Sequence, residues 1–67
     1  MSLKRLSRVI QTLRAAKAMS QRELAARVKV TPGYIAQLEM GVRRNPSLDV
    51  LKRLARALGV PVTELLE

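Results

Sequence analysis

Apolar residues recur every three or four positions along most of the chain. Leu3, Leu6, Ile10 and Leu13 form one stripe at helical spacing, with Lys4, Arg5, Arg8 and Lys17 mostly off it. The pattern predicts a first helix over roughly residues 3–17. Ser20-Gln21-Arg22-Glu23 reads as a capping box, in which the serine hydroxyl and the glutamate carboxylate each satisfy a free backbone N–H. A second helix starts there, with Leu24, Ala25 and Val28 as its buried face. Thr31-Pro32 opens a third, because threonine is a good cap and proline has no N–H to leave unpaired in the first turn. Its inward residues are Ile35 and Leu38, and Gly41 sits where a left-handed residue stops a helix. Asn45-Pro46-Ser47 is a turn and a further start signal. Leu48, Leu51, Leu54, Ala55 and Leu58 give a fourth helix its apolar face, Gly59 ends it, and Pro61 opens a last helical turn carrying Leu65 and Leu66.

A β reading fits poorly. Period-two alternation is not sustained, Phe and Trp are absent, and Tyr34 is the only aromatic residue. The expected architecture is all-α: a compact bundle of about five short helices forming a single domain over residues 1–67.

Composition narrows the function. A chain of 67 residues has room for one thin core and none for a deep substrate cavity beside it. Thirteen Lys and Arg face five Asp and Glu, a formal charge of +8, so the surface attracts a polyanion. Nucleic acid ranks first for a compact basic domain, ahead of an acidic protein or a membrane face. Binding to a membrane surface through the first helix would use the same apolar stripe that so small a core needs. Cys and His are both absent, which removes disulfides, Cys/His zinc sites and the commonest general base. The serines have no His to activate them, and Gly33, Gly41 and Gly59 are isolated rather than a phosphate loop. No catalytic, cofactor, metal or small-molecule site is expected. Lys4, Arg5 and Arg8 interrupt any apolar signal segment, and no apolar run is long enough to span a bilayer, so a cytoplasmic location is expected.

Residues 21 to 40 carry the functional signal. Two helices joined by so short a turn cross steeply, and small Ala25 is what such a crossing needs. Leu24, Val28, Ile35 and Leu38 then meet behind it. The outer face of the third helix, about residues 32–40, stays free to enter a major groove.

Here the chain resembles the phage repressor and Cro-like helix-turn-helix domains, the XRE family. The resemblance rests on Met19-Ser20-Gln21-Arg22-Glu23-Leu24-Ala25, Ile35-Ala36-Gln37-Leu38-Glu39, Gly41, Asn45-Pro46-Ser47-Leu48, Leu54-Ala55-Arg56-Ala57-Leu58-Gly59-Val60 and Glu64-Leu65-Leu66. It implies a lambda-repressor-like fold with the motif in helices 2 and 3, and a regulator of transcription that binds double-stranded DNA, a repressor by expectation, often as a homodimer on a palindrome. By that resemblance Gln21 contacts a phosphate and Gln37 reads a base. Gln chemistry agrees, since its amide can pair with adenine in the major groove. A helix start also offers free N–H groups to a phosphate. Tyr34 either meets DNA or covers the helix junction.

Thr31, Pro32 and Gly33 lie at the start of the same helix and belong to the expected interface. Arg43 and Arg44, with Asn45, form a basic loop suited to clamping phosphates, and Arg22 is a weaker choice of the same kind. Lys52, Arg53 and Arg56 are read as a solvated outer face. Glu39 opposes the helix dipole in the last turn and needs a partner. The resemblance pairs it with Arg14. Val60, Val62 and Leu66 are the candidate dimer contacts. Three residues depart from the family pattern: Lys29 where glycine is usual, Gly33, which removes a side chain near DNA, and apolar Met40. The competing function is a basic module that docks an acidic protein, such as an antitoxin or adaptor subunit.

Overall fold

The computed structural model describes residues 3–43 and 46–66, with side chains from Arg5 onward. Five helices follow in order: α1 (Leu3–Ala16), α2 (Gln21–Val28), α3 (Pro32–Glu39), α4 (Leu48–Leu58) and α5 (Thr63–Leu66). Among the described residues there is no strand.

The helix starts follow from local chemistry. Ser20 Oγ accepts from the Glu23 N–H at 3.0 Å, and Glu23 accepts in return from the Ser20 N–H at 2.9 Å. The bond from the Ser20 backbone N–H, with a smaller contribution from the Ser20 side chain, holds the Glu23 carboxyl below its ordinary value. Thr31 Oγ1 accepts from the Tyr34 N–H, and Ser47 Oγ from the Val50 N–H, both at 3.1 Å. Each such cap is worth about 1 kcal/mol.

The stops are left-handed residues. Gly59 ends α4 at φ 72°, and its turn lets the Val60 N–H reach the Ala55 carbonyl at 3.0 Å. Lys29 does the same for α2 at φ 63°, ψ 45°, so lysine occupies the left-handed position that glycine fills without strain. The cost is about 1 kcal/mol. Ala18 also has positive φ, 53°, between α1 and α2.

The core draws on every helix. Leu6 and Ile10 of α1, Leu24 and Val28 of α2, Ile35 and Leu38 of α3, Leu54 and Leu58 of α4 and Leu65 of α5 are all fully buried. Met19, in the turn before α2, joins them. Ala25 is 1% exposed, consistent with a close crossing of α2 and α3. α2 packs against both α3 and α4, and α1 supports α3 from behind. The outer face of α3 is therefore left uncovered.

Two expectations need correction. Leu48 is 53% exposed rather than part of the apolar face of α4. It directly follows the Ser47 cap, and Val50, two residues on and so on the other side of the helix, is the residue that turns inward. Arg53 is not simply solvated. Its Nη1 donates to the Val28 carbonyl at 2.9 Å and its Nη2 to Asp49 Oδ2 at 2.8 Å. It thereby satisfies a carbonyl that α2 leaves open at its C-terminus.

Candidate nucleic-acid interface

The uncovered side of α3 begins with Thr31, Pro32 and Gly33, all exposed, and continues to exposed Gln37 one turn on. The Thr31 hydroxyl is occupied as the cap of the helix, accepting from the Tyr34 N–H. A Cβ at Gly33 would meet only Thr31 Oγ1, at 3.9 Å, so nothing inside the protein requires glycine there. Tyr34 is half-buried, with its ring packed on the core.

The chain after α3 folds back onto this face. Gly41, at φ 73°, reverses its direction. The N–H groups of Val42 and Arg43 then both donate to the Gln37 carbonyl, at 3.0 and 3.2 Å. Arg43 is brought over two α3 side chains at once. Its guanidinium carbon lies 4.3 Å from the centroid of the Tyr34 ring, and its Nε donates to Gln37 Oε1 at 3.1 Å. Tyr34, Gln37 and Arg43 thus form one cluster, with Gln37 and Arg43 exposed above the half-buried ring. Arg44 and Asn45, expected beside them, lie outside the described residues.

The inner end of α3 is clamped. Glu39 is buried, and Arg14 of α1 reaches both its oxygens, Nε to Oε2 at 2.6 Å and Nη2 to Oε1 at 2.9 Å. Arg14 Nη1 also donates to the Met19 carbonyl at 2.7 Å. The bond to Glu39 raises the Arg14 pKa above its ordinary value against the opposing effect of burial. Gln21, expected as a phosphate contact, turns its amide inward and donates to Glu39 Oε1 at 3.1 Å. Gln11, not among the expected site residues, donates to the Glu39 carbonyl at 2.6 Å. Gln11 precedes Arg14 by one helical turn, so the two share a face of α1. That spacing was the available signal. Arg22 is exposed in the first turn of α2. Val60 and Val62 are half-buried against the core, whereas Leu66 is 40% exposed.

A second basic surface lies away from α3. An open groove of about 730 Å³ between α2 and α4 is lined by Arg27, Lys29, Lys52, Arg53 and Arg56, with Asp49 as its acid.

Two short-linked helices, with the outer face of the second exposed beside Arg43, define a helix-turn-helix domain. A family model described as helix-turn-helix matches residues 10–65. The HTH-type transcriptional regulator SlrR of Bacillus subtilis is 36% identical over 62 residues, covering 92% of this chain and 41% of that protein. The uncharacterized HTH-type transcriptional regulator y4dJ of Sinorhizobium fredii is 45% identical over 53 residues, covering 79% of this chain and 68% of its own length. Among solved structures, the restriction-modification controller protein C.AhdI of Aeromonas hydrophila superposes with a TM-score of 0.87 at 35% identity, covering 94% of each chain. The same fold makes up 37% of HppE, crystallised with Fe(II) and substrate, at a TM-score of 0.87 and 25% identity. The chain belongs to the XRE-type helix-turn-helix family of DNA-binding transcription regulators. It spans less than half the length of SlrR.

Proposed function

We propose that the chain represses transcription by binding a particular sequence of duplex DNA, with α3 laid in the major groove. The observation that carries this reading is the contrast between the two sides of α3. One side is locked to α1 and α2 through Glu39, while the other presents Gln37 and Arg43 to solvent. A rigid support under an exposed polar face is what base reading needs.

Gln37 is the base-reading residue in this reading, with Tyr34 beside it. Arg22, Arg44 and Asn45 supply phosphate contacts, and Thr31, Pro32 and Gly33 bring the start of α3 against the backbone. Gln21 acts mainly by holding Glu39, with one amide N–H left for a phosphate. The active form is a homodimer on a two-fold site, with Leu66 at the contact and Val60 and Val62 beneath it. The domain carries out no catalysis, and the reading brings a cytoplasmic location with it. Among the described residues no helix is long and apolar enough to cross a membrane.

A second reading is favoured by the groove between α2 and α4, where five cations face one carboxylate away from α3. That groove would suit an acidic protein partner, as in an antitoxin or adaptor.

Selection from randomised duplexes under excess competitor DNA, with affinities measured at two salt concentrations, separates the two. A two-fold symmetric site with half-sites about 34 Å apart supports the regulator. Binding that enriches no sequence and collapses with salt removes it in favour of the protein-docking reading.

A further inference from the structure

We infer that Arg43 and Gln37 act as one composite reading head, and that it selects guanine where Gln37 alone would select adenine. The inference rests on the proposal that α3 reads the major groove.

The geometry turns on which end of the Gln37 amide faces outward. A guanidinium has five N–H donors and no acceptor, so the group that meets Arg43 Nε must be the amide oxygen. The 3.1 Å bond to Oε1 therefore fixes the orientation of the amide. Its –NH₂ end is left as a donor edge, and the guanidinium bonded to its oxygen at Nε carries further N–H donors. The pair together offers donor beside donor.

Several contacts hold Arg43 in this place independently. Its own N–H and that of Val42 are bonded to the Gln37 carbonyl, at 3.2 and 3.0 Å. Its guanidinium carbon stands 4.3 Å above the Tyr34 ring, within the range of a cation–π contact. Left-handed Gly41 supplies the chain reversal that makes all of these reachable. Gln37 and Tyr34 are three positions apart on α3 and so share its face.

Bases differ on this point. In the major groove guanine shows two acceptors, N7 and O6, whereas adenine shows the N7 acceptor beside the N6 donor. A free Gln matches adenine with its oxygen and nitrogen together. With Arg43 on that oxygen, one of its two acceptor sites is taken and a cation stands beside it, which disfavours the adenine N6–H₂ group. Guanine meets donors at both of its atoms.

The test is selection from randomised duplexes with the full chain, its Arg43→Ala variant and its Gln37→Ala variant. Both side chains are exposed, and thermal melting checks that the variants remain folded. Gln37→Ala identifies the base position by flattening its preference. At that position the unaltered chain should prefer guanine over adenine by about tenfold or more. Arg43→Ala should turn the preference to adenine while other positions of the site stay the same.

Adenine at that position with Arg43 present overturns the inference. So does an Arg43→Ala variant that weakens all sites alike and leaves the preference unchanged, since Arg43 would then be a phosphate contact alone. Either result leaves sequence-specific binding standing. Failure of the unaltered chain to enrich any sequence removes the major-groove reading itself, and this inference with it.

Discussion

Arg14 grips both carboxylate oxygens of Glu39, at 2.6 and 2.9 Å, across a separation of 25 positions in the chain. The side chain of Glu39 is 6% exposed and that of Arg14 20%. Removing one partner leaves the other charge desolvated, which costs more than the pair contributes when whole. Glu39→Ala should therefore destabilise the domain by about 3 kcal/mol. At this size that is a loss on the order of 15 °C in Tm. Arg14→Ala should cost a similar amount, and the double variant much less than the sum. Thermal melts of the single and double variants check this, and additive losses would contradict a mutual clamp.

Lys29 holds a left-handed conformation without being glycine. Lys29→Gly should raise stability by about 0.5–1 kcal/mol, since relief of strain exceeds the extra freedom given to the unfolded chain. Denaturant titration reads the midpoint directly. A lower midpoint would mean that the lysine side chain contributes more than its backbone costs.

Gly33 separates stability from binding. It lies inside α3 with room for a methyl group, so Gly33→Ala should stabilise the helix by up to about 1 kcal/mol. The same methyl would stand between α3 and an approaching DNA backbone. A higher Tm together with weaker DNA affinity is the expected combination. Unchanged affinity would place the close approach elsewhere.

The capping box predicts an acid dependence. The Glu23 carboxyl is held below its ordinary value of 4.5 by its bonds to Ser20. A carboxyl depressed by folding contributes stability that is fully present above the unfolded value and is lost as pH falls through the folded one. Stability should thus decline below about pH 4.5, and Glu23→Gln should flatten part of that decline. Urea midpoints from pH 6 down to pH 3 measure it. A Glu23→Gln profile parallel to that of the unaltered chain would contradict the assignment.

What could be read from the chain was mostly local. Ser20, Thr31 and Ser47 announced helix starts because a cap bonds to a backbone group only a few residues ahead. Gly41 and Gly59 announced stops for the same reason. The Arg14–Glu39 pair came from the family pattern, since no spacing rule joins residues on different helices. Long-range partners stayed hidden. Arg53 looked like a surface charge because the Val28 carbonyl it bonds is 25 positions away. The phosphate role of Gln21 came from the family pattern, and its bond to Glu39 stayed hidden because that partner sits on α3. The meeting of Arg43 with Gln37 depends on which way the chain turns at Gly41, and spacing alone does not give that direction.

The most direct test of the interface is a backbone amide NMR titration of the chain with a duplex recovered by selection. Major-groove reading by α3 predicts that the largest shifts fall on residues 31–37 and on Arg43, with small changes on the outer side of α4. Shifts concentrated instead on Lys29, Lys52 and Arg56 would contradict it, and would move the DNA or an acidic partner to the groove between α2 and α4.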